Sequence, residues 1–87
     1  MPLEKFIAMS FRCRREELNY SQLYVATKLD ISQNAYSKIE SGATKISISR
    51  FVAICNILEM DPLSTLAPWF EDVNIAKPEA IALVRSC

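Results

Sequence analysis

One short run of the chain concentrates side chains that donate and accept hydrogen bonds. Gln33, Asn34, Ser37 and Lys38 lie close together, and only the lysine is charged. A carboxamide donates and accepts in one plane, a hydroxyl can do either, and an ammonium group donates three bonds. A solvated helix face more often carries several Glu and Lys residues at pair-forming spacings. The run therefore favours hydrogen-bonded recognition of another molecule over a purely solvating role.

The composition argues against catalysis. The chain has no histidine, a single glycine and no glycine-rich phosphate loop, and it lacks a close carboxylate pair or a metal-ligand spacing. Cys13, Cys55 and Cys87 are too widely spaced for a zinc knuckle or a redox pair. We expect Cys13 and Cys55 to be ordinary small helical residues and Cys87 to be an exposed thiol. We therefore expect no enzymatic activity, metal or cofactor, and no small-molecule ligand is evident.

Two short amphipathic helices are predicted to position the polar run. The first extends from Gln22 to Leu29 and the second from Gln33 to about Ser41, with a three-residue turn between them. Ser21 and Ser32 stand immediately before the two helical patterns, where a side-chain oxygen can accept a hydrogen bond from the first turn. This is the spacing of a helix-turn-helix motif.

The run LNYSQLYVATKLDISQNAYSKIESGATKIS resembles the Cro/C1-type (XRE) helix-turn-helix family of transcriptional regulators, which includes lambdoid phage repressors and restriction controller proteins. The resemblance extends from about Phe11 to Leu66. The matching features are Ser21-Gln22, Ala26 in the first helix, Ile31 in the turn, Ser32-Gln33, and the closing Ser37-Lys38-Ile39-Glu40-Ser41-Gly42. The resemblance implies an all-α fold, a compact bundle of about five helices of the lambda-repressor-like DNA-binding type.

The resemblance also implies contacts with double-stranded DNA. The second helix of the motif, here called the reading helix, would enter the major groove, where Gln33, Asn34, Ser37 and Lys38 are the expected base contacts. A carboxamide can bind adenine at N6 and N7, and a lysine can donate to guanine O6 and N7. The expected phosphate contacts are Gln22, Thr44, Lys45 and Arg15.

The family also implies an ion pair that braces the reading helix. In phage repressors an arginine at the position matching Arg15 pairs with the glutamate that Glu40 resembles. We expect the same pair here, joining the first helix to the reading helix. Two residues depart from the family pattern: Asp30 stands where Gly is frequent, although Asp tolerates a left-handed conformation, and Tyr36 replaces an aliphatic residue. We expect the Tyr36 hydroxyl to point to the rim of the domain.

Further helices are predicted on both sides of the motif: one from about Leu3 to Leu18, one from about Ile48 to Leu58 after a capping Ser47, and a short one from Pro62 through Leu66. We expect a helix break at Ala67-Pro68. We therefore divide the chain into a helix-turn-helix DNA-binding domain, residues 1–66, and a C-terminal extension, residues 67–87, that adds a further helix.

The role of the extension remains open between two alternatives. It either folds back over its own domain or forms the face that meets a second subunit, and both could hold. The residues expected to make that packing or dimer contact are Trp69, Phe70, Ile81, Leu83 and Val84.

The charge of the chain is divided between its halves. The net charge is zero, which counts against a nucleic-acid partner because phosphate binding normally requires a basic surplus. Residues 1–50, however, carry eight Lys and Arg against five Asp and Glu, whereas residues 51–87 carry two against five. The basic half contains the helix-turn-helix, so the objection is weakened.

These observations favour a sequence-specific bacterial or phage transcriptional regulator of the repressor or controller type, acting as a homodimer on a palindromic operator. A symmetric dimer would place two reading helices about one turn of DNA apart. No apolar run approaches the roughly 18 residues of a membrane span, so we expect a cytoplasmic protein. The alternative is an antitoxin-like or other protein-interaction module whose C-terminal tail binds a partner.

Overall fold

The computed structural model describes residues 1–72 and consists there of helices and connecting loops without strands. The helices are α1 (Leu3–Glu17), α2 (Gln22–Leu29), α3 (Gln33–Glu40), α4 (Ile48–Ile57) and α5 (Pro62–Asp72). The predicted all-α fold with about five helices is confirmed. Ile81, Leu83, Val84 and Cys87, together with the predicted last helix, lie outside the described residues.

Serine side chains begin three of these helices. The hydroxyl oxygens of Ser21, Ser32 and Ser47 each accept a hydrogen bond from the backbone amide three residues later, at 2.9, 3.0 and 3.1 Å respectively. Asp61 begins α5 in the same way, accepting from the Ser64 amide at 2.8 Å. Each cap satisfies an amide that has no partner within the helix, and is typically worth about 1 kcal/mol. The predicted starts of the motif helices are therefore correct.

Left-handed residues end the helices and turn the chain. Asp30 has φ of 59° and ends α2, so this aspartate adopts the conformation for which the family often uses Gly. Gly42, the only glycine of the chain, has φ of 77° and follows the end of α3. Non-glycine residues adopt this region of φ with some strain, as Asp30 does, but a Cβ atom at Gly42 would also lie only 2.8 Å from Lys5 Cδ. Both constraints together favour glycine there.

The core lies where the helices of the bundle face one another. Phe11 of α1 and Phe51 of α4 are buried with their ring centroids 5.8 Å apart. The other members of the buried apolar cluster are Ile7, Val25, Ala26, Tyr36, Ile39, Ile54, Cys55 and Leu58. Burying a large apolar side chain contributes about 1.5–3 kcal/mol. This cluster holds α2 and α3 at a fixed crossing.

The predicted helix break at Ala67-Pro68 is wrong. Helix α5 continues through Pro68 to Asp72, although proline has no amide to donate to the carbonyl of Ser64. Packing supplies the compensation: α5 contacts α1, and the Trp69 indole donates to the Met1 carbonyl at 2.9 Å. The proposed domain boundary after residue 66 therefore falls inside a helix, and the division into two domains remains a prediction.

The two cysteines of the described region have different environments. Cys55 is fully buried in α4, and burial raises the pKa of its thiol to about 11. Cys13 lies exposed on α1. Within residues 1–72, no helix is long and apolar enough to span a membrane. The same residues contain no group of His, Cys, Asp and Glu side chains that could hold a metal ion.

Candidate nucleic-acid interface

Helix α3 has one face in the core and one face in solvent. Tyr36, Ile39 and Glu40 are buried, whereas Gln33, Asn34 and Lys38 are exposed and Ser37 is half-buried. At about 100° per residue, Gln33 and Ser37 form one strip of the outer face and Asn34 and Lys38 form the adjacent strip. All four expected base contacts thus lie on the outer side of α3.

An open depression of about 610 Å³ runs beside the second of these strips. Its walls are α3, the loop after Gly42 and the beginning of α4. The depression is lined by Asn34, Lys38, Thr44, Lys45 and Arg50, among others. The structure therefore brings two of the expected base contacts together with both loop residues expected to contact phosphates. Gln33 and Ser37 are not among its lining residues.

Arg50 is a lining residue that the sequence interpretation missed. It stands in the first turn of α4, where its amide donates to the capping Ser47 hydroxyl at 3.1 Å. A cation in the first turn of a helix opposes the helix dipole, which is positive at that end. This unfavourable placement is the sequence feature that could have identified Arg50 as a candidate, because an anion bound near Arg50 would offset the repulsion from the helix dipole.

A buried ion pair joins α1 to α3. The Arg15 guanidinium donates to both carboxylate oxygens of Glu40, at 2.7 and 3.1 Å, and the two side chains are only 13% and 3% exposed. Arg15 also donates to the Tyr20 carbonyl at 2.8 Å. The bidentate geometry fixes the orientation of both partners. The end of α3 is therefore held against α1.

The ion pair determines the charge of Glu40. Burial by itself raises the pKa of a carboxyl group, but hydrogen bonds to the Glu40 carboxylate, led by those from Arg15, outweigh burial and leave the pKa below its ordinary value. The hydrogen bond to Glu40 raises the pKa of Arg15 in turn. Both groups are charged at neutral pH.

Two of the expected phosphate contacts are already engaged in this network. The Gln22 side-chain amide donates to Glu40 Oε1 at 3.2 Å and is half-buried, and Arg15 has the partners described above. A carboxamide nitrogen has two hydrogens, so one hydrogen of Gln22 remains for another acceptor. Phosphate binding by Arg15 and Gln22 remains a prediction. The exposed Thr44 and Lys45 are more accessible than either.

Tyr36 does not point to the rim, and that prediction is wrong. The side chain is fully buried, and its hydroxyl makes no hydrogen bond of acceptable geometry. Burial, followed by the adjacent Glu40 carboxylate, raises the pKa of Tyr36 well above its ordinary value. Since the ring fills the space between α3 and the core, its hydroxyl is carried towards Glu40 instead of towards water.

The comparisons with known proteins agree with this architecture. A family model described as helix-turn-helix matches residues 12–63, more than half of the chain. The chain is similar in structure to the clp gene regulator ClgR from Corynebacterium glutamicum, with a TM-score of 0.75 and 19% sequence identity, covering 97% of this chain and 90% of that chain. At this identity the likeness concerns the fold. No match was found among curated proteins.

The family match covers the capped helices, the turn and the loop that have been described above. An all-helical fold similar to that of a gene regulator accompanies it. The chain belongs to the Cro/C1-type (XRE) helix-turn-helix family of DNA-binding transcription regulators.

Proposed function

We propose that this protein is a sequence-specific transcriptional regulator that binds a palindromic operator as a homodimer. The observation that carries the proposal is the outer face of α3, where exposed amide and ammonium groups adjoin a depression lined by Lys45 and Arg50. Amides and ammonium groups can recognise base edges in the major groove, and the flanking cations can bind phosphates. Such a regulator acts in the bacterial cytoplasm, where its DNA target lies.

The residues of this face divide into two roles. Gln33, Asn34, Ser37 and Lys38 contact bases, and each good bidentate contact supplies roughly 1–3 kcal/mol of discrimination. Thr44, Lys45 and Arg50 contact phosphates, which fixes the register of α3 without reading sequence. Dimerisation supplies the second reading helix and makes the operator two-fold symmetric.

The experiment that tests this function is a selection of duplexes from a random DNA library, followed by affinity measurements against salt. The variants are Gln33→Ala, Lys38→Ala and Lys45→Ala. We expect a two-fold symmetric motif, relaxed at particular positions by the first two changes. Lys45→Ala should weaken binding to all sequences evenly and reduce the salt slope by about one per chain.

Lys28→Ala is the matched control for the lysine changes. Lys28 is exposed on α2, with its ammonium nitrogen 5.5 Å from the centroid of the Tyr24 ring, and is not among the residues that line the depression. We expect this change to leave the selected motif, the operator affinity and the salt slope unchanged. Weak, purely salt-driven binding without any enriched motif would contradict the proposed function.

A further inference from the structure

Lys5 reaches from the first turns of α1 to the end of α3. Its ammonium group donates to the carbonyl of Ser41 at 2.9 Å, across 36 residues of sequence. Ser41 is the residue that ends α3. Carbonyl groups at the end of a helix have no partner within the helix and carry partial negative charge. The Lys5 ammonium group therefore caps the reading helix from outside the motif.

The methylene chain of Lys5 covers Gly42. A Cβ atom added at Gly42 would lie 2.8 Å from Lys5 Cδ and 3.5 Å from Lys5 Cα. The left-handed turn at Gly42 is thus made directly against α1. The next residues of the chain are those of the loop that contains Thr44 and Lys45, so the position of Lys5 determines where this loop begins.

The position from which Lys5 extends is itself fixed. At the start of α1, the Met1 carbonyl accepts the hydrogen bond from Trp69 of α5. Near the other end, Arg14 donates to the carbonyls of Leu58 and Glu59 at 3.0 and 3.4 Å, at the end of α4. Helix α1 is therefore held at both ends, and Lys5 transmits its position to the end of α3.

We propose that Lys5 is a positioning residue for DNA binding. It caps α3 and directs the loop of residues 43–46, so that Thr44 and Lys45 face the phosphates, and it does not contact DNA itself. This inference rests on the proposed function, since the position of the loop affects DNA binding only if Thr44 and Lys45 bind phosphates. Lys5 lies outside the helix-turn-helix motif and is not among the residues that line the depression.

The test compares Lys5→Met with Lys5→Arg in wild-type and Lys45→Ala backgrounds. Lys5 is exposed, so both variants should fold. Methionine keeps an unbranched side chain but removes the charged donor. We expect Lys5→Met to weaken operator binding about tenfold in the wild-type background, and Lys5→Arg to restore most of the affinity. In the Lys45→Ala background, Lys5→Met should have a clearly smaller effect than in the wild-type background, because the charged one of the two contacts that Lys5 positions is already absent and only that of Thr44 remains.

A direct phosphate contact by Lys5 gives a different result. The affinity loss would then be equal in both backgrounds, and the salt slope would fall by about one per chain even in the Lys45→Ala background, where the positioning role predicts no further fall. Either outcome overturns the proposal. Lys28→Met is the matched control, because it removes an exposed ammonium group whose described contact is with the Tyr24 ring of α2 and not with α3. We expect Lys28→Met to leave operator affinity unchanged in both backgrounds.

A second measurement is made without DNA and separates this inference from the proposed function. Amide hydrogen exchange of the free protein should be faster in Lys5→Met than in wild type at Gly42 and Ala43, whose amides donate to the carbonyls of Ile39 and Lys38 at 3.1 Å. Lys28→Met should show wild-type rates. Unchanged exchange at these amides overturns the positioning role even if operator binding is specific. Failure of the wild-type protein to select any motif refutes the proposed function instead.

Discussion

Glu40 links three helices through the hydrogen bonds of its carboxylate. It accepts two hydrogen bonds from Arg15 of α1 and one from Gln22 at the start of α2, while it belongs to α3 itself. Removing two charges from water is costly, and such a pair persists only where good geometry and additional hydrogen bonds compensate. Here both conditions are met. The main effect of the carboxylate is therefore to fix the position of α3 against α1 and α2, and its net contribution to stability is smaller.

Glu40→Gln should destabilise the fold by about 3 kcal/mol at pH 7, because it leaves the Arg15 guanidinium buried without a counter-charge. The folded-state pKa of Glu40 lies below its unfolded value of about 4.5. Its contribution is therefore fully present above pH 4.5 and is lost as the pH falls through the folded-state pKa. Urea unfolding of wild type and variant should show a constant difference between pH 5 and pH 7 that shrinks below pH 4.5.

The matched control for this prediction is Glu17→Gln. Glu17 is paired with Arg14 at 3.6 Å, but its side chain is 67% exposed. We expect a change of less than about 0.5 kcal/mol, because exposed pairs contribute little. Equal losses from the two substitutions would show that the buried network has no special role.

At the scale of elements, α5 is the helix whose local sequence and tertiary contacts disagree. Pro68 is the seventh residue of an eleven-residue helix, a position where proline normally costs about 3 kcal/mol. The helix nevertheless continues, with Trp69 bonded to Met1 and stacked edge-on against Phe70 at 5.2 Å. Contacts of this end of α5 with the start of α1 thus outweigh the local preference for a break.

Pro68→Ala should stabilise the protein by about 1–2 kcal/mol. Alanine restores the amide that bonds to the Ser64 carbonyl and removes the ring clash, although it also loosens the unfolded chain. Pro62→Ala is the matched control, since Pro62 occupies the first position of the same helix, where proline is favourable, and it should give no gain. Urea unfolding, followed by the fluorescence of the single tryptophan, provides the measurement. A loss of stability in Pro68→Ala with altered emission would indicate that Trp69 requires the proline geometry.

At the scale of the whole molecule, a net charge of zero is compatible with a DNA-binding surface because the cations are distributed unequally. Several are already paired: Arg12 with Glu16 at 3.6 Å, Arg14 with Glu17, and Arg15 with Glu40. Lys38, Lys45 and Arg50 instead line one depression. Local clustering of these three creates a positive face that the net charge conceals.

The affinity for an operator should fall with salt according to the number of cations on this face. The two cations proposed to contact phosphates, Lys45 and Arg50, correspond to a slope of log affinity against log salt of roughly −1.8 per chain. Arg50→Ala should reduce the slope by about 0.9, whereas Arg12→Met, which breaks an exposed pair on α1, should leave it unchanged. A slope for Arg50→Ala equal to that of wild type would show that Arg50 does not contact a phosphate.

The sequence by itself determined the start of each motif helix, the turn at Asp30 and the polar outer face of α3. These features depend on interactions within one or two helical turns: a capping hydroxyl and an amide three residues later, or the side-chain period of a helix. The local order of residues is therefore sufficient to predict such interactions. The Arg15 to Glu40 contact spans 25 residues, and it was expected only because the chain resembles a family in which that pair occurs.

Only the tertiary structure decided the burial of the Tyr36 hydroxyl, the continuation of α5 through Pro68, and the lining of the depression by Arg50. The same holds for the contacts from Lys5 to Ser41 and from Trp69 to Met1, which span 36 and 68 residues. Each depends on how whole helices pack, and packing is set by the summed burial of many side chains across the bundle. No local pattern specifies which distant carbonyl a lysine or an indole will meet.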